Sequence, residues 1–83
     1  MRQIAYRKSA LKTLRRMPSN EATRIISKVE QYANDPNSLA NNVKALAGSP
    51  YIRLRVADWR VIMDDLGNVL EVLKIDPRGG IYD

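Results

Sequence analysis

Arginine is the residue type around which this sequence could organise chemistry. Arg53, Arg55 and Arg60 cluster in one short stretch. Arg78 follows in Asp76-Pro77-Arg78-Gly79-Gly80, with Tyr82 close behind. Nine of the fourteen Lys/Arg residues are arginine, and a guanidinium makes bidentate hydrogen bonds to phosphate oxygens. The chain contains no histidine and no cysteine. The commonest general base, the commonest metal ligand and any thiolate nucleophile are therefore missing. An all-arginine site suits phosphodiester chemistry, where fixed cations stabilise the charge that builds up on a phosphorane-like transition state. RNA supplies its own nucleophile, the 2′-hydroxyl. Cleavage then needs in-line positioning, charge stabilisation and proton transfer, and no metal or cofactor. Arginine stays protonated far above neutral pH and tyrosine ordinarily titrates near about 10. No general base stands out, and something outside the chain must hold the RNA in a reactive geometry.

The elements that position these arginines are legible from periodicity. Residues 2–8 alternate, with Ile4 and Tyr6 on one face, and predict a first strand. Ser9 reads as the N-cap of a short helix to Arg16, with Leu11, Leu14 and Met17 as its buried stripe and Lys12, Arg15 and Arg16 outward. Met17-Pro18 ends that helix. Ser19 caps a second helix to about Ala33, whose apolar face is Ala22, Ile25, Ile26, Val29 and Ala33. Glu21 lies in its first turn, where the helix dipole favours a carboxylate. The stretch from Asn34 to Pro50 has turn chemistry, with Val43, Leu46 and Ala47 as an apolar anchor.

After Pro50 the period changes to two, and 51–56, 59–64 and 69–75 read as three antiparallel strands joined by short turns. With Ala57-Asp58 as a two-residue loop, Val56 faces Trp59 and Arg55 faces Arg60. Ile52, Leu54, Val56, Trp59, Val61 and Met63 then share a face that receives the helices, while Arg53, Arg55 and Arg60 share the other, with Tyr51 beside them as a surface on which a base could stack. Like charges directly opposite destabilise a sheet, so Glu71 or Asp58 is expected to neutralise part of the cluster. The expected fold is α+β: β-α-α-β-β-β, an antiparallel sheet with an N-terminal helical hairpin packed on one face, spanning residues 1–83 as one domain.

Eighty-three residues bury only about 60% of their unfolded surface, so stability is marginal. No apolar run approaches the ~20 residues of a membrane span, and no signal-peptide pattern follows Met1. The expectation is a soluble cytoplasmic protein without membrane association. The net charge of +5 is uneven: residues 1–48 carry nine Lys/Arg against three Asp/Glu, and residues 49–83 five against six. A basic excess of this kind points to a polyanionic partner, either nucleic acid or an acidic protein segment.

Three segments carry a family resemblance: Leu14-Arg-Arg-Met-Pro18, Tyr51-Ile-Arg-Leu-Arg-Val-Ala-Asp-Trp-Arg-Val-Ile62 and Ile75-Asp-Pro-Arg-Gly-Gly-Ile-Tyr82. With the element order, they resemble the RelE/ParE superfamily of type II toxins over nearly the whole chain. The resemblance implies a toxin encoded beside an antitoxin that wraps it and masks its basic surface. In the RelE branch it implies metal-independent cleavage of mRNA in the ribosomal A site. Carried onto this chain, Arg60 and Arg78 match arginines that stabilise the scissile phosphate, and Tyr82 matches a tyrosine that orients the RNA. Arg53 and Arg55 match the basic strand beside it. Arg53 then completes a catalytic set with Arg60, Arg78 and Tyr82, while Arg55, Tyr51, Lys74, Lys12, Arg15 and Arg16 are expected to contact RNA or ribosome. Two departures stand out. The nucleases tend to carry lysines on that strand, where this chain has Tyr51 and Arg53, and Ala57 replaces the usual hairpin glycine. Branches that poison DNA gyrase keep the fold, so a gyrase inhibitor, or a binding module without activity, is the competing expectation.

Overall fold

A computed structural model describes residues 2–77. The chain runs through β1 (Gln3–Tyr6), α1 (Lys8–Arg16), α2 (Ser19–Asn34), a 3₁₀ stretch (Pro36–Asn42), β2 (Val43–Ala45), β3 (Ile52–Val56), β4 (Trp59–Asp65) and β5 (Val69–Pro77). The five strands form one sheet in the order β1-β5-β4-β3-β2. The α+β architecture and the antiparallel β3-β4-β5 meander are as the periodicity predicts. Two features enlarge it. β1 joins β5 in parallel, so the sheet is mixed rather than wholly antiparallel. β2 adds a short antiparallel edge beside β3.

One face of the sheet carries the core. Leu54, Val56, Val61, Met63, Leu70, Val72 and Ile75 are buried there against Ala10, Leu14 and Met17 around α1 and Ile25, Val29, Tyr32 and Ala33 of α2. In α1 the buried position is Ala10 rather than Leu11, which lies 36% exposed. Leu14 and Met17 are buried as expected, and Ala10, four residues before Leu14, takes the place of Leu11 on the buried face. In α2 Ile26 is likewise outside the core. Leu39 of the 3₁₀ stretch is buried at 4% and takes the anchoring role expected of Ala47, which is exposed. Tyr6 packs against this core. Burial, with Glu30 nearby, pushes its phenol up to about 12, so it stays neutral at physiological pH.

The β3-β4 hairpin has the expected register, Val56 opposite Trp59 and Arg55 opposite Arg60. Its strain is visible at Ala57, whose φ of 52° is the left-handed conformation that a two-residue hairpin requires and that normally falls to glycine. Trp59 helps to hold the turn: its indole Nε1 donates to Glu21 Oε1 at 2.7 Å. Glu21 therefore serves as a side-chain acceptor joining α2 to the hairpin, as well as complementing the helix dipole.

Ser9 is not the N-cap of α1. Its hydroxyl donates to the Leu73 carbonyl at 2.7 Å. This bond matters because Leu73 is the extra residue of a β-bulge: Ile62 pairs with Lys74 and Met63 with Val72, leaving Leu73 between them. A bulged residue falls out of the ladder, and Ser9 gives its carbonyl a partner. Ser9→Ala is expected to lower stability by about 1 kcal/mol, read as a lower urea midpoint with unchanged m-value.

At the other end of the sheet, Arg2 Nε lies 2.8 Å from Asp65 Oδ1 and an Arg2 nitrogen reaches the Ala33 carbonyl. Burial alone would raise the Asp65 carboxyl, but hydrogen bonds from Arg2 and the Gly67 N–H, the Arg2 charge and the Tyr32 hydroxyl outweigh it and hold it below the usual carboxylate value. A carboxyl with a depressed folded-state pKa contributes stability that is present above its unfolded value, about 3.9, and is lost as pH falls through the folded value. Asp65→Asn is expected to be less stable near neutrality and to lose less further stability on acidification below about pH 4. Denaturation midpoints at pH 7 and pH 3 measure both effects.

Candidate nucleic-acid interface

The sheet face away from the helices is organised in two cross-strand rows. Lys44 of β2 pairs with Arg53 of β3, Arg53 with Ile62 of β4, and Ile62 with Lys74 of β5. In the next row Arg55 pairs with Arg60, and Arg60 with Asp76. Five cations and one carboxylate thus stand side by side, with strands about 4.8 Å apart. The alternation that buries Leu54, Val56, Val61 and Met63 on one side places these residues on the other.

Two adjoining pockets open on this face. One, of about 170 Å³, is lined by Leu46, Arg53, Arg60, Ile62, Lys74 and Asp76. The other, of about 280 Å³, is lined by Arg53, Arg55, Arg60 and Lys44 with Asn41, Asn42 and Val43. Arg53 and Arg60 line both. Arg60 is only 6% exposed, whereas Arg55 is exposed and Arg53 half-buried. Lys74 Nζ lies 3.1 Å from Asp76 Oδ2.

The bulge at Leu73 sets this arrangement. An uninterrupted ladder from the β4-β5 turn would bring Arg60 opposite Ile75. The extra residue moves Asp76 and Lys74 onto the arginine face and returns Ile75 to the core, where it is 2% exposed. The expected neutralisation of Arg60 by Glu71 is corrected accordingly. Asp76 is the carboxylate opposite Arg60, and Glu71 instead lies 3.2 Å from Arg7.

Of the site residues anticipated from sequence, Arg53, Arg55, Arg60 and Lys74 come together on this face. Tyr51 is half-buried just ahead of β3, with its N–H donating to Ser49 Oγ, and lines neither pocket. Arg78 and Tyr82 lie outside the described residues. Lys12, Arg15 and Arg16 are exposed on α1, in the helical layer across the sheet from the arginine face. Lys12 and Arg15 border a separate groove of about 510 Å³ with Lys8 and Leu11. Lys44 and Asp76 were not anticipated as site residues. The break in alternation along Leu70, Val72 and Ile75 is the signal that could have placed Asp76. A larger concavity of about 620 Å³ near Arg2, Asn34 and Gly67 sits at the opposite end of the sheet, where the charge of Arg2 is already engaged by Asp65. Among the described residues no group of three or more His, Cys, Asp or Glu side chains comes together to hold a metal, and no helix is long and apolar enough to cross a membrane.

Chemically, the face offers fixed guanidinium donors to a phosphodiester and an apolar patch, Leu46 and Ile62, between them. Its stability cost is the cross-strand pairing of Arg55 with Arg60. Arg55→Thr is expected to raise stability modestly, by about 0.5 kcal/mol or less, at low ionic strength. The gain should vanish in molar salt, where charges are screened beyond about 3 Å. Urea titrations at the two salt concentrations test this.

No family model matches the sequence, and no curated protein matches it. Solved structures do. A chain of the archaeal RelE–RelB complex from Pyrococcus horikoshii OT3 is 25% identical, with 94% of this chain and 96% of that chain covered and a TM-score of 0.78. A chain of the RelB–RelE antitoxin–toxin complex from Methanococcus jannaschii is 26% identical, with 95% of each covered and a TM-score of 0.73. The isolated E. coli RelE toxin shares the fold at 17% identity, with 99% and 89% covered and a TM-score of 0.77. The chain therefore has the fold of the RelE/ParE-like toxin superfamily, and these neighbours lie on its RelE side, as the resemblance in residues 51–62 leads one to expect.

Proposed function

We propose that this protein is the toxin of a type II toxin–antitoxin pair and acts as an mRNA endonuclease on the ribosome. The observation that carries the reading is the pair of cross-strand rows, which concentrates Lys44, Arg53, Arg55, Arg60 and Lys74 on one sheet face. The similarity to RelE chains, two of them from complexes with RelB, supports both the toxin role and a cognate antitoxin as partner.

In this reading the mRNA backbone lies across β3, β4 and β5. The 2′-hydroxyl of one nucleotide attacks the adjacent phosphorus in line with the departing 5′ oxygen. Arg60, held rigidly by burial, and Arg53 beside it donate to the non-bridging oxygens as charge accumulates there. Arg78 and Tyr82 are assigned to the same reaction, as a further phosphate contact and as the group that orients the RNA. Arg55, Tyr51 and Lys74 hold the flanking backbone, and Lys12, Arg15 and Arg16 meet ribosomal RNA. Small fixed cations alone do not select an in-line conformation from flexible RNA. The ribosome supplies that selection, and so converts a weak catalyst into an effective one.

Induced expression is expected to stop protein synthesis while replication initially continues, and to produce cuts at fixed positions within codons. Arg53→Ala with Arg60→Ala is expected to reduce cleavage by at least about 10²-fold and to relieve toxicity. Pulse-labelling of translation and replication, with mapping of mRNA ends, tests the reading. Arrest with intact mRNA sinks it. Trapped gyrase–DNA complexes with translation still running would establish the gyrase-inhibitor reading instead.

A further inference from the structure

The arginine face holds one carboxylate in its phosphate-binding rows, and the function proposed above gives it no task. Asp76 is directly opposite Arg60, 3.1 Å from Lys74 Nζ through Oδ2, and lines the same 170 Å³ pocket as Arg53, Arg60, Ile62 and Lys74. Among the described residues it is the only carboxylate lining either pocket of this face. Asp64 and Glu71 share the face but lie beyond the bulge, paired with each other in register, and Glu71 is engaged by Arg7. A carboxylate among cations that are meant for phosphate weakens phosphate binding. Placing it there by a β-bulge, with the bulged carbonyl secured by Ser9, is a specific structural investment.

We infer that Asp76 is the proton acceptor for the attacking 2′-hydroxyl, an assignment that rests on the endonuclease reading. The step balances without a metal or cofactor. An Asp76 carboxylate oxygen takes the 2′-O–H proton as the 2′ oxygen forms its bond to phosphorus. The P–O5′ bond breaks, and the 5′ oxygen leaves with a proton from solvent water. The products are a 2′,3′-cyclic phosphate and a 5′-hydroxyl end, and protonated Asp76 returns its proton to solvent. Asp76 is paired in register with Arg60 of β4, in contact with Lys74 of β5, and shares its pocket with Arg53 of β3. An incoming phosphate competes with Asp76 for these cations. As it draws Lys74 toward itself, the carboxylate gives up its ion-pair partner and is freed to take the proton. Substrate binding thus primes the base. The sheet places the acceptor one strand from Arg60 and two strands from Arg53, and all three line one pocket of about 170 Å³.

The alternative role for Asp76 is structural: neutralising part of the Arg60 and Lys74 charge. The two roles differ in what Asp76→Asn does. For a proton acceptor, single-turnover cleavage of a defined mRNA on programmed ribosomes falls by at least about 10²-fold. The acidic limb of the pH–rate profile disappears, and affinity for the programmed ribosome is unchanged or tighter. Asp76→Glu recovers part of the rate, while Asp64→Asn, the same charge change further along β4, cleaves as wild type. Thermal midpoints of all variants separate a catalytic loss from a folding loss. For a neutralising role, Asp76→Asn binds more tightly and cleaves within about threefold of wild type, and the assignment is overturned. It is overturned equally if a substrate with a 5′-thiolate leaving group, which needs no protonation, restores the Asp76→Asn rate, because the residue then acts on the leaving group. If the wild-type protein cuts no mRNA on the ribosome, the endonuclease reading itself fails. A wild type that cuts beside an equally fast Asp76→Asn removes only the assignment of Asp76.

Discussion

Arg55 and Arg60 stand directly opposite one another on adjacent strands, and the surrounding structure is built to withstand that repulsion. Two like charges across an antiparallel pair cost up to about 1 kcal/mol. The other side of the same two strands buries Leu54, Val56, Val61 and Met63 at 4% exposure or less, and each such side chain supplies roughly 1.5–3 kcal/mol by leaving water. The core therefore dominates, and the cationic face can be kept without losing the hairpin. Its turn is held by means other than favourable local geometry. Ala57 sits at a positive φ, and the Trp59–Glu21 hydrogen bond ties the start of β4 to α2. Burial of Arg60 serves the same end from the opposite direction, because a guanidinium fixed by its surroundings loses little freedom when an anion arrives.

The second structural device is the bulge at Leu73. It lets one strand do two jobs. Before the bulge, Leu70 and Val72 fill the core against β4; after it, Ile75 does so while Lys74 and Asp76 join the arginine rows. A regular strand of the same sequence would send Ile75 to the open face and the charged pair inward, where unpaired burial of either is costly. The hydroxyl of Ser9 joins this irregularity to α1, so helix, bulge and site are one mechanical unit.

Much of this was readable before the structure. The change of period at Pro50 and the two-residue spacing between Val56 and Trp59 locate the hairpin, its register and its two faces, because alternation leaves little freedom once one face must be apolar. What was not readable follows from interactions between distant segments. Nothing local tells β1 to pair in parallel with β5, a partner more than sixty residues away. β2 is three residues long and owes its strand character to Arg53 and its neighbours, so Lys44 could not be placed from sequence. Ser9 has the residue type of an N-cap, but a tertiary carbonyl outcompetes the helix end for its hydroxyl. Asp76 was hidden because a single inserted residue reverses every inside–outside assignment beyond it.

The distribution of charge constrains how any polyanion can use this surface. The helical half carries most of the net positive charge in the sequence, yet Lys12, Arg15 and Arg16 lie on α1, across the core from Arg53 and Arg60. The molecule measures 29 × 26 × 23 Å, and at physiological ionic strength charges are screened beyond about 8 Å. The α1 cations therefore contribute little to stabilising a phosphate held over β4. They form a second, separate basic patch. A short RNA bound on the sheet would leave them unused, whereas a partner that touches both must either enclose the protein or wrap around it. Any two polyanions that each spanned both sets of cations would compete for them, and occupancy by one would exclude the other without a conformational change in the fold.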